Sequence, residues 1–483
     1  MNARLIGIRV VLIACALAVA PPLSAQSELP DFGDVSSAAL SPLEERRLGE
    51  AFMREVRARL TLVDDADVEE YVESVGRRLA AASDAPGNPF HFFVVAADHI
   101  NAFAGPGGYI GINAGLIMNT DSEGELASVI AHEMAHVTQR HIARRFEQQE
   151  RSSIPVFAGI VAAVVLGTQS PDLGQAAAAA AIGSAVQTTL NFSREAEREA
   201  DRVGLRVLER AGYNPLAMPA FLEKLQSAQR YARKAPEYLS THPLTTSRIA
   251  DLRARAEQSS RPGHEDSLRY LLIKAKLEVL SRDDPQTALE FFEESLEHAE
   301  PEAVSAAAYG LGLALARTGA RDEARRVFEA LVERHPEELS IGIAAAENEF
   351  AAGRVSKSMA LYEAAYERHP SSRALVIAFA EALVQSRRSD ETLELIDTWS
   401  RSHGPDLRLH RLAAEAYAQR GETTRSRLSL AEHYYLVGQL DAAIYQLQLA
   451  AQDQDAGYYL LSRVEARLKE LEEEWRQRLQ ARG

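Results

Sequence analysis

The stretch His132-Glu133-Met134-Ala135-His136 decides how the rest of this chain is read. On an α-helix, positions i and i+4 share a face, so the two imidazoles can grip one metal ion. The glutamate between them stands beside the ion, placed to work on a water molecule. The flanking residues predict that helix. Ser122 and Glu125 form a capping box just before the apolar positions Leu126, Val129 and Ile130. A surface helix with two titrating histidines would carry the same letters, so the motif needs a partner elsewhere in the chain.

A zinc hydrolase needs a third protein ligand and an open position for water. Residues 193–202, Ser-Arg-Glu-Ala-Glu-Arg-Glu-Ala-Asp-Arg, predict a second helix with Ser193 as its N-cap. Glu197 and Asp201 are four apart and share a face. One carboxylate can bind the metal while the other orients a ligand histidine. Spacing alone does not say which. Glu195 and Glu199 fit the solvated face of an acidic helix.

The HExxH helix followed by Glu-x-x-Ala-Asp resembles the Ste24/HtpX-type gluzincin peptidases. So do residues 101–110 (Asn-Ala-Phe-Ala-Gly-Pro-Gly-Gly-Tyr-Ile) and Thr241-His242-Pro243-Leu244 with Arg248-Ile249. Together with the repeats described below, the chain is similar to the BepA-like periplasmic zinc metalloproteases within that group. The resemblance implies one zinc ion per chain, held by His132, His136 and Glu197, with Asp201 behind a ligand histidine. It implies that Glu133 takes the proton of the attacking water and passes it to the leaving amine, with no covalent intermediate. His242 would occupy the fourth zinc position as a plug or, once displaced, hydrogen-bond the tetrahedral intermediate. Arg248 would bind the oxyanion or a carboxylate, or form a structural salt bridge.

Residues 1–25 read as a Sec-type secretory signal: Arg4 and Arg9, an apolar core over 10–20, and Leu23-Ser24-Ala25 before the cleavage point. A rival reading takes Leu12-Ile13-Ala14-Cys15 as a lipobox with Cys15 lipidated. The short, Arg9-interrupted run before it and the apolar residues after it count against that. Cleavage after Ala25 leaves no cysteine, which fits an oxidising compartment and excludes a disulfide framework. The net charge of −16 argues against nucleic acid, which needs a basic footprint. No glycine-rich phosphate loop in helical context points to a nucleotide.

The expected fold is mostly α with a small β-sheet: a gluzincin zinc-peptidase domain over 26–258, a linker over 259–267 and an α-solenoid of tetratricopeptide repeats over 268–483. Residues 40–82 are helical in pattern. Residues 90–95 and 109–112 predict strands, the second opened by a Gly-Pro-Gly-Gly turn. A sheet edge at Gly108, Tyr109 and Ile110 would bind an extended substrate as an added strand. The apolar stretch 154–168 falls short of the ~20 residues of a membrane span. With the alanine-rich 175–187 it predicts a buried helical hairpin, or a membrane-facing or lid-like loop over the cleft.

Beyond 268 the chain repeats. Gly319, Gly353, Arg387 and Gly421 are 34 residues apart, as are Pro336 and Pro370. That is the tetratricopeptide period. Small residues recur at Gly312, Ala324, Ala346, Ala380 and Ala414, and Phe328, Tyr362 and Ile396 share one register. Gly438, 17 after Gly421, reads as a break in the period, and the charged end from 463 as a cap. By resemblance, the partners are unfolded or misassembled outer-membrane proteins and the barrel assembly machinery, in the periplasm near the outer membrane. Two functions fit: an active endopeptidase, or a chaperone or adaptor with a latent peptidase site.

Overall fold

The computed structural model describes residues 41–148, 194–231, 237–259, 263–264, 266–453 and 455–480. The Ser193 cap, the signal region and the hairpin-or-lid segment 154–187 lie outside them. No helix among the described residues is long and apolar enough to cross a membrane.

The N-terminal half packs helices around a three-stranded sheet. β1 (His91–Val95) and β3 (Tyr109–Asn113) form as expected, and β2 (Ala102–Ala104) is an addition. The order is β1-β3-β2, with β1 parallel and β2 antiparallel to β3. The strand expected to offer a free edge is therefore the central one. Ile110 pairs with Phe92 on one side and Ala104 on the other, and its side chain is fully buried. The backbone groups that a substrate strand would need at Tyr109 and Ile110 are used within the sheet. β2 is the outer strand that packs along the HExxH helix.

That helix runs Glu123–Thr138 and is buried on every side from Glu123 to His136. Ser122 caps it, accepting from the Glu125 amide, and the Glu125 carboxylate reaches back to the Asp121 amide rather than that of Ser122. The acidic helix Arg194–Arg210 crosses it at Gly204, where a Cβ would lie 3.1 Å from the His132 nitrogen. Any side chain there would push the two helices apart, and with them Glu197 from the histidines.

The helix Ala66–Ala82, capped by Asp65, lays Val68, Tyr71, Val72, Val75 and Leu79 against this core. Leu268–Ser281 serves two cores. Its Tyr270, Ile273 and Leu277 join the peptidase core, while Leu272, Ala275 and Val279 face the repeats. The segment read as a linker is pinned in its second half: the His264 amide donates to the Gly212 carbonyl, and Asp266 accepts from the Glu123 amide.

In the repeats, Gly319, Gly353, Arg387 and Gly421 all adopt left-handed backbone, with φ of 89°, 75°, 57° and 76°. Each turns the chain between the two helices of a pair, which fixes the period. Gly438 does not break it. It ends Thr423–Val437 and continues a second series at Pro336, Pro370 and Gly404, again 34 apart, that closes each second helix. Phe328, Tyr362 and Ile396 are buried between helices, and Tyr458–Gln480 covers the end through Val464 and Leu471.

The array holds the start of Ala66–Ala82. Buried Asp67 accepts from Lys276 at 3.0 Å and Ser340 at 3.0 Å, Glu69 pairs with Arg373 and Arg408, and Glu70 accepts from the Ala374 amide.

Candidate metal centre

Two helix faces and one loop converge. The HExxH helix supplies His132 and His136, the acidic helix supplies Glu197, and the loop after Tyr238–Thr241 supplies His242. All four are buried. His132 Nε2 lies 3.0 Å from His136 Nε2, 3.3 Å from His242 Nδ1 and 3.5 Å from a Glu197 oxygen. His136 Nε2 is 3.5 Å from the other Glu197 oxygen, which is 3.1 Å from His242 Nδ1.

These distances test the fit to a metal. Tetrahedral arms of about 2.0–2.1 Å place ligand atoms about 3.3 Å apart. The observed edges of 3.0–3.5 Å bracket that value. Without an ion, a proton must bridge the two close imidazole nitrogens, and a cation at the centre would take that proton's place. The donor set of nitrogen and carboxylate oxygen suits zinc.

Around this cluster lies a second layer. Asp201 accepts from His132 Nδ1 at 3.2 Å and is gripped by Arg248 through two bonds of 2.7 and 2.8 Å. Arg248 also reaches Glu197 at 2.9 Å and the Pro243 carbonyl at 2.9 Å. Of the roles open to Arg248, the structural salt bridge is the one formed. Tyr238 stacks on His242 at 4.6 Å.

Burial pushes the His132 imidazolium down, but the Asp201 and Glu197 carboxylates outweigh it and hold its pKa up at about 10. Burial also opposes the charge on Glu197, yet His242 and His132 bring it well below the usual carboxylate range. His136 is driven well down, by burial and then by His132. Glu133 goes the other way, because burial raises it. Its Oε1 lies 3.3 Å from His242 Nε2, and neither carboxylate oxygen makes a well-formed hydrogen bond among the described residues. A buried carboxylate in that state is ready to accept a proton.

The structure thus gathers His132, Glu133, His136, Glu197, Asp201 and His242, and leaves Gly108, Tyr109 and Ile110 in the turn and central strand. Glu195 is exposed. Glu199 is not simply solvated: it binds His141 and Arg144. His141 and Tyr238 had no part in the sequence reading. A histidine five past the motif is off the ligand face of a continuous helix, and only a break in the helix brings it back.

Comparison with known proteins agrees with this geometry. Residues 66–256 match the model of peptidase family M48, and residues 349–416 match a tetratricopeptide repeat. The chain is 32% identical over 462 residues to the beta-barrel assembly-enhancing protease of Escherichia coli K12, spanning 94% of this chain and 93% of that one. The Yersinia pestis protein of the same name is 38% identical over 314 residues, 65% of each chain. A mitochondrial metalloendopeptidase of Arabidopsis thaliana is 33% identical over 182 residues, 38% of this chain and 35% of its own. The chain belongs to peptidase family M48, joining a metallopeptidase domain to C-terminal tetratricopeptide repeats.

Proposed function

We propose that this protein is a zinc-dependent endopeptidase of the periplasm that acts in outer-membrane protein assembly and degrades clients that misassemble. The observation that carries the reading is the buried His132–His136–Glu197 cluster with Glu133 beside it. The names of the relatives support the setting, and residues 1–25 support export.

His132, His136 and Glu197 hold the zinc, which, when bound, polarises the scissile carbonyl and brings the pKa of water towards ~7. Asp201 fixes the His132 ring through Nδ1, and Arg248 fixes Asp201. Glu133 takes a proton from water and delivers it to the leaving amine. An extended client lies along β2, whose position against the HExxH helix brings a bound backbone to Glu133. The concave side of the repeats recruits the client or the barrel assembly machinery.

His242 occupies the fourth corner of the cluster and excludes water while it stays. This favours a second reading, in which the protein is mainly a chaperone or adaptor whose peptidase is latent. Assembly function that survives Glu133→Gln would select it.

The ligand assignment is tested by metal analysis of purified variants. Glu197→Gln should lose zinc, and Glu195→Gln should keep it. Equal zinc in both would remove Glu197 from the site. Photo-crosslinkers placed on the concave face of the repeats should capture outer-membrane barrel precursors. Capture that is as great from the outer helices would exclude the groove as the docking surface.

A further inference from the structure

The two ligand histidines have different outer partners. His132 is backed by Asp201. His136 is backed by another histidine, and the chain makes an unusual turn to arrange it. The HExxH helix stops at Thr138, Arg140 takes left-handed backbone with φ of 51°, and a new helix starts at His141. The reversal brings His141 Nδ1 to 2.9 Å from His136 Nδ1, ring edge to ring face at 72°. His141 is buried, and its Nε2 lies 3.1 Å from Glu199 Oε2. The same oxygen accepts from Arg144 at 2.9 Å.

Proton bookkeeping fixes the direction of this chain. A histidine that gives its Nε2 lone pair to a metal carries its proton on Nδ1. His136 Nδ1–H therefore donates to His141 Nδ1. A neutral His141 then has its own proton on Nε2, where it donates to the Glu199 carboxylate. Every donor meets an acceptor, and no proton is missing or in excess. The chain also ties the two metal helices together, because Glu199 sits two residues past Glu197. Outer partners of this kind orient the ligand ring and raise its basicity.

We propose that His141 and Glu199 are positioning residues for the metal: a Glu199–His141–His136 relay sets the tautomer and orientation of His136, as Asp201 does for His132. The proposal rests on the reading of His136 as a zinc ligand.

Two substitutions at 141 separate this from simple packing. His141→Phe keeps a flat ring in the cavity but offers His136 no acceptor. His141→Gln has a poorer shape, yet its amide oxygen can accept from His136 Nδ1–H while its NH2 donates to Glu199. Zinc affinity of the full chain is measured by competition with a chromophoric chelator, and the ligand geometry by the visible bands of the cobalt-substituted protein. His141→Phe should bind zinc about 10–100-fold more weakly with shifted cobalt bands. His141→Gln should recover most of the affinity and the parent spectrum. Glu199→Gln, at a partly exposed position that tolerates change, should weaken zinc only a few-fold, since a neutral oxygen still accepts. If His141→Phe binds as tightly as the parent, or His141→Gln is no better than His141→Phe, the relay is wrong. If the parent itself binds no zinc, the fault lies with the ligand reading instead.

Discussion

Among the described residues, the buried charges at the junction of the two domains and those at the metal centre are satisfied in opposite ways. At the junction between peptidase and repeats, Asp67 meets Lys276, Arg269 and Ser340. Donors face acceptors and opposite charges cancel. At the metal centre, ligand atoms converge on one point: His132 Nε2 and His136 Nε2 are 3.0 Å apart, with Glu197 at 3.5 Å from both. Protein atoms alone complete the first cluster. The second has the converging ligand set of a cation site. Burial of charge is thus no mark of function by itself; the direction in which the polar atoms point distinguishes a structural pair from a binding site.

The largest way to test that contrast is to remove the cation. Chelation should abolish cleavage of an unfolded substrate and lower the melting temperature. Zinc at a hundred times its dissociation constant stabilises by about 2.7 kcal/mol, which the apo protein forgoes. The junction should be indifferent to chelator, so Lys276→Met should be additive with it. That variant leaves Asp67 buried beside one fewer cation, at a cost of about 3–5 kcal/mol in unfolding free energy, with zinc content unchanged. A loss of zinc in Lys276→Met would mean the clusters are coupled.

His242→Ala comes next. If His242 is a plug, cleavage rises with zinc retained; if it serves the oxyanion, the rate falls by about 2–4 kcal/mol in barrier.

The pH response should separate the clusters further. Burial tends to raise the Asp67 pKa, but Lys276 and Arg269 overcome it and leave it lowered. Its stabilising contribution is therefore full above the unfolded value of about 3.9 and is lost only as pH falls through the lower folded value. Zinc release should instead begin well above that pH, where protons compete for the histidine ligands, with His132 held above the ordinary histidine value of about 6.5. Melting curves with and without chelator across pH 4–8 should show the chelator effect vanishing while the apo protein remains folded.

The two helix faces that meet at the metal centre were legible in the sequence through helical register, while the choice of Glu197 over Asp201 as ligand came from the family resemblance. His132 and His136 on one helix, and Glu197 and Asp201 on another, repeat at the spacing of one face. The repeats were legible because a left-handed turn must recur with the period, so strongly that Arg387 accepts it where the others are glycine. What was not legible has no local period. β2 is three residues of Ala-Phe-Ala, too short to alternate, and without it β3 looked like an edge. Gly438 seemed to break a series because it belongs to a second one, which shows only once the helices are paired. Asp67 and Lys276 are 209 positions apart, and nothing near either foretells the pair. His141 returns to the site only through the strained turn at Arg140.

The central claim is a metal-dependent peptidase in which Glu133 moves protons and does not bind the ion. Its most direct test is a paired measurement on purified Glu133→Gln: zinc content and cleavage of an unfolded protein. The account predicts a full complement of zinc with the rate down by about 10²–10⁴. Undiminished cleavage at full zinc occupancy would contradict it.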